Sequence, residues 1–232
     1  MNLQAQSLEI YATQDAFAAL EPWTDLPDVL AAITGMHETM RHCYWVTQNL
    51  SATVFFAQAA IQHGLTAASQ AQDPDQADAL RGAAKAACYD LASFTWPGWG
   101  EDAISPTRDD LERGLQAAHT NLRLTRALGR DNLAHSRSHW VLGAQRLANG
   151  HLKTALQSFE RAAQHATEGD HQADHLLNTG YAALVNQMAL PDTKPAAFET
   201  ALDQLRNGDV KGGPRFANQL DTAAGVFLGS KQ

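Results

Sequence analysis

Two pairs of histidines stand at a spacing that chemistry can use: His135-x3-His139 and His171-x3-His175. Four residues along an α-helix put two imidazoles on one face. Asp174 adds a carboxylate beside the second pair, so a four-histidine metal site is geometrically conceivable. Neither pair carries the glutamate of a His-Glu-x-x-His motif, the chain holds ten histidines in all, and histidines at helix starts are commonly only solvated. The expectation is that no metal and no cofactor is bound. His37, Glu38 and His42 make a second, looser grouping of the same kind.

Arginine offers the other chemistry. Residues 113 to 161 hold Arg113, Arg123, Arg126, Arg130, Arg137, Arg146, Lys153 and Arg161 against Asp131 and Glu160, a local balance of +6 in a chain of net charge -8. Residues 1 to 107 carry three basic and twelve acidic side chains, a balance of -9. A basic middle on an acidic body can attract an acidic peptide, a terminal carboxylate or a phosphate, which the guanidinium fork grips in bidentate fashion. The alternative is that these charges lie on solvated faces. Duplex nucleic acid is not expected as a partner, because the basic count is small and the remaining surface repels phosphate.

The stretch FTWPGWGEDAISP, residues 94 to 106, carries Trp96 and Trp99 in a loop. Trp96-Pro97-Gly98-Trp99 fits a type II turn, with proline at the second place and glycine at the third. The two indoles either plug an open edge of the helical body or present a stacking, peptide-gripping surface. Catalytic constellations are missing: there is no phosphate-cradling glycine loop, no Gly-x-Ser-x-Gly and no Cys-x2-Cys, and the carboxylates gather at helix starts, where the macrodipole accounts for them. Cys43 and Cys88 lie in helical apolar runs and read as reduced, buried thiols. The chain is expected not to be an enzyme.

The elements that must position these residues are helices. Hydrophobic residues make up 44% of the 232 and charged ones 18%, with alanine and leucine carrying much of the apolar share and no sustained period-2 alternation. Punctuation divides the chain into helices near 27 to 49, 52 to 71, 74 to 94, 106 to 128, 132 to 149, 151 to 167, 171 to 188, 195 to 206 and 214 to 227. Asp73-Pro74 caps one start, Ser105-Pro106 with Asp109 and Asp110 another, and Gly129 and Gly169 each read as the left-handed residue after a helix, with Asp131 and Asp170 close behind. Short joints make the flanking helices antiparallel neighbours. Residues 1 to 26 form a leading segment with a loose helix around Ala12 to Leu20, and 27 to 232 a single helical domain. The N-terminus has neither a basic n-region nor an apolar h-region, and no stretch reaches the roughly 18 apolar residues of a membrane span, so a soluble, cytoplasmic protein is expected.

Within that rhythm, Leu142, Gly143, Gly150, Leu152, Ala155, Leu156, Phe159 and Ala162 resemble one unit of the tetratricopeptide repeat. Gly143 and Ala155 let two helices approach, Gly150 makes the turn and Phe159 fills the space between hairpins. Asn178, Gly180 and Tyr181 resemble the first helix of another unit, Phe198 and Ala201 its second, and LQAAHTNLRLTRALGRD the second helix of longer-repeat members. The likeness covers residues 107 to 206. It departs where Arg146 replaces the family's usual tyrosine and where the tryptophan, expected at 139, stands at 140. Two registers follow: Arg137 and Trp140 look into a groove, or the helix slides by one and Trp140, Ala144 and Leu147 pack in the core. Met188 to Pro195 makes a longer loop than a regular unit needs.

The resemblance implies a right-handed α-solenoid of about four antiparallel hairpins with a C-terminal capping helix, in which Phe216, Leu220, Phe227 and Leu228 cover the last apolar face and favour a monomer. It also implies a non-enzymatic scaffold or adaptor that binds an acidic or extended peptide of another protein through Arg126, Arg130, Arg137, Trp140, Asn178 and Tyr181, with Trp96 and Trp99 as loop contacts. The alternatives are a helical protein that binds a metal or small ligand through the paired histidines, and a self-association module.

Overall fold

The computed structural model describes residues 2 to 190 and 196 to 229. They are all-helical, with no strand among them. In chain order the helices are α1 (Leu3–Thr13), α2 (Glu21–Thr24), α3 (Val29–Trp45), α4 (Leu50–Gln70), α5 (Pro74–Phe94), α6 (Arg108–Ala127), α7 (Asn132–Ala148), α8 (Leu152–Glu168), α9 (Gln172–Ala189), α10 (Ala196–Asn207) and α11 (Gly213–Gly229), with 3-10 turns at Ala18–Leu20 and Pro97–Trp99. No helix among the described residues is long and apolar enough to cross a membrane. The helices fall into two compact units, Met1–Phe94 and Thr95–Gln232.

In the first unit α3, α4 and α5 pack in sequence and α1 and α2 lie against α3. Residues read as a leading segment therefore belong to a core: Trp23 packs with Ile33, Met36 and Leu80, and its indole Nε1 donates to Ser7 Oγ at 3.0 Å. A Cβ at Gly35 would overlap the Trp23 ring, so glycine is what admits the indole there. Helix α3 stops at Trp45, short of the expected 49, because Gln48 turns into the left-handed region at φ 50° and Asn49 caps α4 by accepting from Ala52 N at 3.0 Å.

In the second unit each helix from α6 to α11 packs on the next, and α11 also reaches α9. Three local expectations shift. Helix α6 begins at Arg108 rather than at Pro106, since Thr107 and Asp110 form a reciprocal capping box. After α8 the left-handed residue is Asp170, at φ 57°, not Gly169, while Gly129 and Gly150 take the left-handed conformation expected of a turn glycine, at φ 55° and 75°. The tryptophan turn is a 3-10 turn in which Gly100, at φ 64°, is left-handed rather than Gly98. Gly98 is needed for another reason: a Cβ there would strike the Trp96 ring. The longer loop expected at Met188 to Pro195 lies, over 191 to 195, outside the described residues.

Helix α7 is buried nearly all round. Gly143 brings it against α8, where a Cβ would press into the Phe159 ring, and Phe159 in turn stacks on Tyr181 of α9, centroids 5.0 Å apart and planes 15° apart. Leu220 of α11 closes over Gly180 in the same way. These close approaches bring α7 against α8, α8 against α9 and α9 against α11 where small residues face large ones.

Candidate functional site

The aromatic residues expected to meet a peptide are core residues. Trp140 is 5% exposed, Tyr181 0% and Asn178 1%. Trp140 lies edge-on to Trp96 at 5.7 Å and 81° and near Trp99 at 5.9 Å, while Asn178 Nδ2 donates to Asp174 O at 2.7 Å. Trp140 packs in the core with Ala144 and Leu147, as the slid register expects, while Leu142 and Gly143 are buried as well, Gly143 against Phe159. Of the loop tryptophans, Trp96 is buried at 1% and Trp99 half-buried, so the turn plugs the core of the second unit. Side chains this deep offer nothing to a peptide at the surface. The expected contact set is thereby reduced to its three arginines.

Arg126 and Arg130 are exposed, and neither has an ion pair among the described residues. Arg137 is exposed too, but its Nε lies 3.4 Å from Asp174 Oδ1, so its charge is already answered by α9.

The two histidine pairs are not brought together. His171 stands at the N-cap position of α9 without a side-chain capping bond, and His175 Nδ1 lies 3.0 Å from Thr167 Oγ1 and 3.3 Å from Ala163 O. His135 and His139 meet His165 of α8 instead, in a column of nearly parallel rings: His135 to His165 at 4.9 Å and 25°, His139 to His165 at 5.6 Å and 14°. Ring nitrogens donate in the ring plane, so stacked imidazoles point their lone pairs side by side rather than at one point. Among the described residues no three histidine, cysteine or carboxylate side chains are grouped to hold a metal. The grouping read at 37 to 42 resolves into a bond between His37 Nε2 and Asp90 Oδ2 at 2.9 Å, with Arg41 Nη1 3.5 Å from the same oxygen.

Helix periodicity then lines up a set of basic groups that single-residue reading missed. His135, His139 and Arg146 fall at i, i+4 and i+11 on α7, one stripe of the helix. Ser158, Arg161 and His165 form the facing stripe of α8, and His119 and Arg126, seven apart, lie on α6. The antiparallel register is set by bonds: Arg146 Nη1 donates to Ser158 Oγ at 2.8 Å and Thr154 O at 3.2 Å, and His135 and His139 meet His165. The electrostatics carry one sign. Burial pushes His139 down to about 3, helped by His165, Arg126, Arg161 and His135. Burial and then Arg146 hold His119 below its ordinary range, and burial and then Arg161 lower Arg146. Every neighbour that lowers these groups is a basic side chain. Glu168 sets a carboxylate against the seam, 3.5 Å from His165 Nδ1 at one end.

Cys43 and Cys88 are free and buried, and burial raises the Cys43 thiol to about 11, which keeps it protonated and a poor nucleophile at neutral pH. Compared with protein-family models and with curated proteins, the sequence matches none of them.

Proposed function

We propose that the chain is a non-enzymatic scaffold that holds an acidic or extended segment of a partner protein, with the second unit as a tetratricopeptide-like, right-handed array of helical hairpins capped by α11. It acts as a monomer in the cytoplasm, without metal, nucleic acid or membrane. The observation that supports this reading is an imbalance of charge: in a chain of net charge -8, exposed Arg126 and Arg130 have no carboxylate partner among the described residues. Helical arrays of this kind present long surfaces on rigid elements, and such a surface with unanswered arginines attracts carboxylates.

The test is capture of partners from the native host by the purified chain, read by mass spectrometry, beside the triple variant Arg126→Glu, Arg130→Glu, Arg137→Glu. A specific partner should bind the wild type at low salt, weaken as salt rises past the Debye screening range, and be lost with the triple variant. A partner held equally by both proteins would rule the electrostatic reading out.

A further inference from the structure

We propose that the seam formed by His119 and Arg126 of α6, His135 and Arg146 of α7, and Arg161 and His165 of α8 receives the acidic side chains of an extended peptide, with Arg126 and Arg161 meeting its carboxylates. This rests on the scaffold reading above and places its site on the side of α7 that carries His135, His139 and Arg146, away from Arg137.

Five arginines outside the seam are ion-paired, whereas those of the seam, like Arg123, Arg130 and Arg215, have no ion pair among the described residues. Arg41 is matched by Asp90, Arg81 by Asp78, Arg108 by Glu112, Arg137 by Asp174 and Arg206 by Asp221. Arg126, Arg146 and Arg161 have no such partner among the described residues, although the chain carries more acids than bases. Arg146 is also half-buried, and a guanidinium withdrawn from water against uncharged acceptors is costly unless an anion answers it. Fold stability gains nothing from collecting like charges along one interhelical line.

The layout chooses the ligand. Half-buried His135, His165 and Arg146 make the floor, and exposed His119, Arg126 and Arg161 the rims. From His135 to Arg146 the floor runs about 16 Å along α7 at 1.5 Å per residue. An extended chain covers that in roughly five residues and puts every second side chain on one side, about 7 Å apart. Cations strung out along a line match carboxylates strung out along a strand. A single tetrahedral phosphate calls for donors that converge, whereas here Arg146 already spends its Nη1 on Ser158 and Thr154. The chemistry shared with phosphate is oxyanion binding, and competition separates the two.

The probe is a fluorescein-labelled oligoglutamate of about ten residues, somewhat longer than the seam needs, titrated against the whole chain at low salt and followed by anisotropy. Arg126→Gln with Arg161→Gln is expected to weaken binding about tenfold or more, while Arg108→Gln with Arg215→Gln, at exposed arginines outside the seam, changes it less than about threefold, as fits loss of two charge-assisted contacts against loss of two remote charges. Both pairs lie on exposed positions, and circular dichroism checks that the helices persist. If Arg130→Gln with Arg137→Gln abolishes binding and the seam pair does not, the site is wrong while the scaffold reading stands. If wild type ignores oligoglutamate, the inference falls, and partner capture alone judges the scaffold reading. If inorganic phosphate at low millimolar concentration displaces the probe competitively and raises the melting temperature by itself, the seam is a phosphate site and the peptide assignment is overturned.

Discussion

The two units bury their polar groups in different ways. In the first, Ser7, Thr39 and Thr53 are fully buried, and each hydroxyl is satisfied by a main-chain carbonyl: Ala19 for Ser7, Gly35 for Thr39 and Asn49 for Thr53. The last two reach only to their own preceding turn, which asks nothing of neighbouring helices. In the second, Thr125, Ser138 and Gln145 are buried, and their bonds run between elements: Thr125 Oγ1 to Ser138 Oγ at 2.8 Å and Gln145 Nε2 to Thr95 Oγ1 at 3.1 Å. Such a network fixes which residue faces which, and it makes the second unit sensitive to charge and to single deletions where the first is sensitive mainly to volume.

The sharpest way to probe that contrast is still volume. Trp140→Ala should destabilise the protein by about 3 to 5 kcal/mol, as truncations of buried aromatics do, whereas Trp45→Ala, at a residue 60% exposed, should stay within about 0.5 kcal/mol. Urea unfolding followed by far-UV circular dichroism measures both, and comparable losses would mean that Trp140 is not a core anchor.

Acid should act next. His139 is neutral in the folded chain down to about pH 3 but ordinary, near 6.5, when unfolded. Above pH 7 neither state binds the proton. Below 6.5 the unfolded chain takes one that the native chain refuses, so stability falls progressively toward pH 3, by a total on the order of several kcal/mol. Unfolding curves at pH 7.5, 6 and 5 should therefore slope less steeply with pH in His139→Gln than in wild type. Parallel slopes would show that this imidazole is not the source.

A third, smaller difference isolates the network. Thr95→Val removes the acceptor of Gln145 in the second unit and should lose roughly 1 to 3 kcal/mol. Thr39→Val in the first deletes only a back-bond to its own helix and should lose less than about 1 kcal/mol. Equal effects would erase the contrast between the units. Smallest of all, Asp170→Gly should raise stability by about 0.5 to 1 kcal/mol, because φ 57° suits glycine better than aspartate.

Helix order and most boundaries were legible because caps, turn glycines and 3.6-residue periodicity are local signals. Asp73, Asp131 and Gly150 do what their types suggest. What escaped was set by distant partners. Nothing near Trp23 in sequence announces Gly35, which makes room for it, so residues 1 to 26 read as a leading segment. Gly98 reads as a turn residue because proline precedes it, yet it is there to clear an indole. Trp140, Asn178 and Tyr181 have the residue types of ligand contacts but are packed away by neighbours distant in sequence, whereas His119, Arg146, Arg161 and His165 line up only when three antiparallel stripes are laid side by side. His165 had a findable signal, since it falls seven residues after Ser158 and four after Arg161.

Trp96 has a last consequence, for how the second unit comes apart. Arrays of stacked hairpins are nearly one-dimensional, so they fray from their ends one repeat at a time. Here the turn that opens the unit meets the helix that closes it: Trp96 lies 6.1 Å from Phe227 of α11, and Thr222 stands against Gly100. The same indole is within 5.7 Å of Trp140 and 5.9 Å of Tyr181. A contact spanning well over a hundred residues raises the contact order and ties the first and last elements into one cooperative block. Such a block melts as a ring does, with no free end from which to begin.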